Sequence, residues 1–148
     1  MITNERLLHI INVARMSQKL AYQFRPQDEA FAKNMFLLGF LHDIGYEFDS
    51  EEGTHADIAG KILHDNGYKY YDCIAQHGSI NTSNFSDELY ILNLADMLVN
   101  FDGMVCGFDQ RLIDIEKRYG PQSKQYKDAV VLIEKLKSDT RYQMFDKH

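Results

Sequence analysis

Six residues of this chain have the types and positions to hold a metal ion: His9, His42, Asp43, His55, His77 and Asp96. Imidazole nitrogen and carboxylate oxygen are the donor atoms that borderline and hard divalent ions take up. Each residue alone has a simpler reading. A histidine on an apolar helix face is usually satisfied by a backbone partner, and one that closes a helix is favoured there by the helix dipole. Asp96 is harder to place, because a carboxylate buried without a partner must protonate; it needs a metal, a His or an Arg beside it. Arg6 lies one turn before His9 on the same side, and its guanidinium fork matches two phosphate oxygens; its alternative is a helix-end ion pair. Lys61 is a weaker second choice for the same task.

The elements that must position these residues read as helices throughout. Asn4 is expected to cap a first helix, in which His9, Val13, Met16 and Leu20 share an apolar face and Pro26 marks the break. Asp28 and Glu29 open a second, with Phe31, Met35, Leu38 and His42 on one stripe and Gly45 as its stop. Gly39 inside that helix calls for close approach of a neighbour. His42 and Asp43 are adjacent, so both reach one centre only where the helix end turns across its mouth. A polar loop over 48–53 leads to Thr54, read as the cap of a helix in which His55, Ala59 and Ile62 share a face and His64 lies off it. A short helix ends at His77 and Gly78, and residues 79–84 form a polar loop between His77 and Asp96, a placement suited to substrate contacts. The next helix opens at Ser86 and carries Leu89, Leu92, Asp96 and Val99 along an apolar stripe. Residues 101–103 read as a turn. Two further helices follow, one ended by Gly120 and Pro121 and one from Ser123 through Tyr126, Val130, Ile133 and Leu136; both are expected to cover the bundle.

The whole is expected to be a single-domain, all-α bundle of about six or seven helices, its core about 6–100 and its covering helices about 108–138, because every periodic stretch follows the helical repeat. With 148 residues, the chain buries a core without disulfides, so a metal here is functional rather than structural. Cys73 and Cys106 are far apart, which indicates neither a zinc ribbon nor a disulfide framework and fits a reduced, cytoplasmic setting. A formal charge of −6 without a basic stripe disfavours nucleic acid as a partner. The polar first residues do not read as a signal peptide, and no apolar run approaches ~18 residues, so no membrane span is expected. A second copy of the chain remains an open partner.

The order His, His-Asp, His, His, Asp resembles that of the HD superfamily of metal-dependent hydrolases. It is carried by Arg6-Leu7-Leu8-His9-Ile10-Ile11-Asn12-Val13, Leu41-His42-Asp43-Ile44-Gly45, Thr54-His55-Ala56-Asp57-Ile58-Ala59, Ala75-Gln76-His77 and Leu94-Ala95-Asp96, about two thirds of the chain. The resemblance implies a helical bundle with a central metal site. In its simplest arrangement His9, His42, Asp43 and Asp96 hold one divalent ion. Members with two intervening histidines place a second ion there, bridged by the HD aspartate, and His55 and His77 fill those positions. One or two ions per chain (Fe, Mn, Zn, Ni, Co or Mg) would then activate a bridging hydroxide against phosphorus, with Asp43, Arg6 and His77 as the groups acting on the substrate. The implied function is hydrolysis of a nucleotide or another small phosphorylated molecule. Diiron oxygenases of small polyols or phosphonates share the six-ligand pattern, and a non-catalytic ligand-binding module is a third class. Redox-active iron and O2 consumption separate the oxygenases from the hydrolases.

Overall fold

A computed structural model describes residues 2–48 and 55–145. Within them the chain is all-α, with seven α-helices: α1 (Asn4–Phe24), α2 (Glu29–Leu41), α3 (His55–Asp65), α4 (Tyr71–Gln76), α5 (Asp87–Asp96), α6 (Phe108–Tyr119) and α7 (Lys124–Ser138). Short 3-10 helices cover Ile44–Phe48 and Thr140–Met144. The only strand-like feature among the described residues is the isolated bridge between Val99 and Val105, which closes a tight turn linking α5 to α6. The expected turn over 101–103 sits inside it: Gly103 N–H donates to Asn100 O at 2.9 Å, with a φ of 88° that favours glycine.

Side-chain caps place the starts of α1, α2, α5 and α7, the last from Ser123 Oγ to Tyr126 N. Thr3 Oγ1 accepts the Arg6 N–H at 3.0 Å, so Thr3, not Asn4, caps α1; Asn4 is already helical. Asp28 Oδ1 accepts from Phe31 N, and Ser86 Oγ from Leu89 N, as expected. The loop over 49–53 and the Thr54 cap lie outside the described residues, while Phe48 belongs to the 3-10 helix rather than to that loop.

The core is built around α5. From Leu89 to Asp96 every residue is buried, so this helix is enclosed on all sides instead of presenting one apolar stripe. Tyr90 OH donates to Leu136 O at 3.0 Å and ties it to α7. On the opposite side α1 and α2 pack tightly, and a Cβ on Gly39 would lie 2.8 Å from Ala14 Cα and 2.9 Å from Ser17 Oγ. Gly60 allows the same approach of α3 to Ala75 on α4. Burial of Val13, Met16 and Leu20 on α1 is worth about 1.5–3 kcal/mol per side chain, which is what holds the histidine-bearing face against the centre.

Two further expectations are corrected. The buried face of α7 is Ala129, Leu132, Ile133 and Leu136, whereas Val130 is 36% exposed, because the i, i+3, i+4, i+7 set is the wider apolar stripe. Gly45 does not stop α2; the helix ends at Leu41, with His42 as its cap, and Gly45 sits inside the following 3-10 helix. Its requirement is spatial, since a Cβ there would lie 1.9 Å from the His55 carbonyl oxygen.

Candidate metal centre

All six predicted ligands converge. His9 and Asp96 are buried on α1 and α5, His42 and Asp43 follow the last turn of α2, His55 opens α3 and His77 caps α4. Asp96 is the last residue of α5, not mid-helix, so its carboxylate reaches the centre where the helix ends.

Local backbone chemistry aims the imidazoles. His42 Nδ1 lies 2.6 Å from Gly39 O and His77 Nδ1 lies 2.5 Å from Ile74 O, each three residues back, at the helix end where carbonyls have lost their helical donors. His9 Nδ1 lies 2.9 Å from Asn100 O, across the turn after α5. A carbonyl only accepts, so Nδ1 carries the proton in all three rings and Nε2 is left facing the centre. There His9 Nε2 is 2.9 Å from Asp96 Oδ1, and His42 Nε2 is 3.3 Å from Asp43 Oδ2 and 3.5 Å from Asp96 Oδ1.

The two oxygens of Asp43 divide the site. Oδ1 lies 3.3 Å from His55 Nε2 and 3.4 Å from His77 Nε2. Oδ2 lies 3.3 Å from His42 Nε2, 3.7 Å from His9 Nε2 and 3.2 Å from an Arg6 terminal nitrogen. One carboxylate thus touches both imidazole pairs, the disposition of a bridging ligand. Two groups are close enough to share an ion, His9 with His42 and Asp96, and His42 with Asp43 and His77; the donor atoms in each lie within 4.8 Å of one another.

The electrostatics make a cation fit. Nitrogen lone pairs set against carboxylate oxygens repel unless a proton or a metal lies between them. His42 Nε2 is buried and has hydrogen-bond geometry to neither neighbouring carboxylate, and His55 Nδ1 is likewise buried without a partner. Burial alone would lower the His42 pKa, but Asp43 and Asp96 outweigh it and push it up to about 10. The counterpart is that Asp43 and Asp96, which burial would raise, are held well below the ordinary carboxylate range, Asp43 chiefly by His42 and Asp96 by His42 and His9. His55 is shifted down, first by burial.

Around the ligands stand residues that sequence reading missed. Arg111, buried on α6, donates from Nε to Asp96 O at 3.0 Å and pairs with Asp96 Oδ1 at 3.4 Å. It is therefore the Arg partner weighed for Asp96, present in addition to the histidines. A cation spaced four residues before buried Ile115 on an otherwise apolar face was the available signal. The Tyr46 ring stacks on His55 at 4.1 Å, and the Arg6 guanidinium lies 3.8 Å over the same ring, so one aromatic ring joins candidate ligand and cation. Nothing in the sequence marked Tyr46 for this.

A cavity of about 600 Å³ opens onto Asp43, His55 and His77. Arg6 lines it; Lys61 does not, being exposed on α3. His64 is 60% exposed at its side chain and lies outside the site, as expected. Ser79, Ile80 and Asn81 from the 79–84 loop reach the cavity. So do Ile115, Tyr119, Gln125, Ala129 and Leu132, which means that α6 and α7 form a wall of the site rather than merely covering the bundle. No helix of the described residues is long and apolar enough to cross a membrane. No protein-family model, curated protein or solved structure matches the chain.

Proposed function

We propose that this protein is an HD-type, metal-dependent phosphohydrolase acting on a small phosphorylated molecule. The observation that carries the proposal is the convergence of imidazole Nε2 atoms, three of them fixed by backbone bonds at Nδ1, on two buried carboxylates beside an arginine that lines a cavity. His9, His42, Asp43 and Asp96 would hold one divalent ion, and His55 and His77, with Asp43, a second. Bound there, the ions would supply Lewis acidity and lower the pKa of an attacking water.

The remaining roles belong to the chain. Asp43 holds the two sets of imidazoles together through its separate oxygens, and its Oδ2 also fixes Arg6. Arg6, its guanidinium 3.8 Å from the centre of the Tyr46 ring, presents a planar cation at the cavity wall, suited to a phosphate oxygen. His77, with Nδ1 occupied by Ile74 O, has only Nε2 to offer, as a ligand or as a proton acceptor but not both at once.

The test is metal analysis of protein purified without chelators, followed by phosphate release from a panel of phosphomonoesters and nucleotides. About two divalent ions per chain and metal-dependent phosphate release are expected. Iron-loaded protein that consumes O2 and releases no phosphate would replace this reading with the oxygenase, and protein that retains no ion would replace it with a non-catalytic module.

A further inference from the structure

Of the four imidazoles at the centre, His9, His42 and His77 are aimed by a carbonyl at Nδ1, and His55 is the exception. His42 and His77 take their carbonyl from the helical turn that precedes them, whereas His55 is the first residue of α3 and has no such turn behind it. Its Nδ1 is buried without a hydrogen-bond partner among the described residues, and its Nε2 faces Asp43 Oδ1 at 3.3 Å. A ligand histidine normally takes its orientation from the partner of its other ring nitrogen. The torsion that turns an imidazole about its Cβ–Cγ bond is broad and roughly two-fold, so hydrogen bonding alone leaves this ring poorly fixed.

What His55 has instead is Tyr46. The two rings stack with centroids 4.1 Å apart and planes 21° apart. The Arg6 guanidinium lies 3.8 Å from the same ring centre, and two groups so close to one centre cannot share a face, so Tyr46 is held between them. Arg6 in turn donates to Asp43 Oδ2 at 3.2 Å, and Asp43 Oδ1 faces His55, which closes a circuit through Asp43, Arg6, Tyr46 and His55. The backbone supports the stack. Tyr46 N–H donates to Asp43 O at 3.1 Å, and Gly45 lets the 3-10 helix lie so close to the His55 backbone that a Cβ would come within 1.9 Å of its carbonyl oxygen.

Resting on the metal-centre reading above, we infer that Tyr46 is a positioning residue for the second ion: by stacking, its ring does for His55 what a carbonyl at Nδ1 does for His9, His42 and His77. A flat neighbour held in place from its far side blocks the intermediate rotations of the imidazole and leaves its two flips. Of these, the observed one sets Nε2 against Asp43. The two ions are then held unequally, one by imidazoles with a bonded Nδ1 and the other in part by an imidazole that depends on a ring contact.

The experiment compares the parent protein with Tyr46→Phe, which keeps the ring and loses only the hydroxyl, and with two non-aromatic variants, Tyr46→Leu and Tyr46→Met. Calorimetric titration of the chelator-treated full chain with Mn2+ gives the affinity of each ion, and carbon-13 relaxation of the histidine Cε1–H groups in the metal-free protein gives the order of each ring. The non-aromatic variants are expected to weaken one ion by about tenfold or more, as loss of an outer-shell partner does, and to leave the other within about twofold. Tyr46→Phe should stay within about threefold of the parent for both. In the metal-free protein the His55 ring should be ordered in the parent and in Tyr46→Phe and mobile in the non-aromatic variants, with His42 and His77 ordered throughout. Equal weakening of both ions would place the effect in Arg6 and Asp43 and overturn the inference, as would a loss in Tyr46→Phe equal to that in Tyr46→Leu. A His55 ring that stays ordered in both non-aromatic variants would overturn it as well. A parent protein that takes up no second ion removes the two-ion reading, and the order of the His55 ring in metal-free protein still decides whether Tyr46 positions it.

Discussion

Replacing Asp43 by alanine tests the centre at the carboxylate that faces both imidazole pairs. Its Oδ1 is within 3.4 Å of two imidazole nitrogens, and its Oδ2 faces two more and Arg6. On the proposed two-ion reading, Asp43 is the carboxylate whose two oxygens face both imidazole pairs, so its loss would reach both ions. Removal of even an outer-shell partner typically costs ten- to hundredfold in affinity, so loss of a shared ligand should cost each ion at least that. Stability should fall as well. Asp43 is buried and Arg6 is 13% exposed at its side chain, so the substitution leaves a largely desolvated guanidinium without its carboxylate, a change worth about 3–5 kcal/mol. Asp43→Asn keeps the volume and removes only the charge, which separates ligand loss from packing loss. Elemental analysis after gel filtration, phosphate release and melting in the presence of chelator give the three readouts. Expected are loss of metal and activity in both variants, with the larger drop in melting temperature for alanine. His64→Ala, on an exposed side chain, should change nothing. Retention of about two ions per chain by Asp43→Ala would refute the bridging assignment.

Further outcomes follow from the same geometry. His55→Ala or His77→Ala should lower the metal content from about two per chain toward one, with His9, His42 and Asp96 keeping the other; unchanged content in both would leave a mononuclear site. In chelator-treated protein, His42 is raised above its unfolded value to about 10, so its contribution is complete below pH ~6.5 and is lost as pH rises through about 10, while the depressed Asp43 and Asp96 contribute above pH ~4 and lose their contribution as pH falls further. The melting temperature should therefore decline between pH ~6.5 and ~10, His42→Asn should flatten that decline, and a flat profile in the parent protein would contradict it. Gly45→Ala forces the start of α3 away from the 3-10 helix by its clash with the His55 carbonyl; a cost of about 1–3 kcal/mol and weakened retention of one ion are expected, read by denaturant melts and metal analysis.

His9, His42, Asp43, His55, His77 and Asp96 were legible because each sits where local periodicity or a helix boundary already fixes its direction. His9 follows from the spacing of Val13, Met16 and Leu20, whereas Asp96 reaches the centre because α5, buried on all sides, ends there. What was not legible depends on contacts between distant segments. Gly45 looked like a helix stop because glycines often are, while its need is set by the backbone of His55, ten positions later. Tyr46 became part of the site only when α1 and the start of α3 met on its two faces. The face of α7 was misjudged for a related reason. Tyr126 and Val130 compete with Ala129 and Leu132 on apolarity alone, and only the position of α5 decides between them.

The cover helices also answer a problem that the ligands create. Two buried carboxylates close to one another would repel, and before any ion arrives they need compensating charge. Arg6 supplies it to Asp43 and Arg111 to Asp96, one from the first helix and one from the sixth. Both guanidiniums, with that of Arg118, also gather around the Phe101 ring, at 5.3, 4.6 and 4.0 Å. Phe101 is buried and its backbone N–H donates to Asp114 Oδ2 at 2.9 Å, so the ring is anchored to α6 as well as to the turn after α5. The carboxylates are thus held at their positions by fixed cations rather than by the ion they would bind, which is the condition for a preorganised site. It also limits the choice of variant for testing that condition. Arg111→Leu should loosen Asp96 and weaken metal retention although Arg111 is no ligand, whereas Arg118→Leu, whose partner Glu5 is exposed, should leave retention intact. Equal loss in the two variants would mean that the aromatic cluster, and not the guanidinium on Asp96, holds the site together.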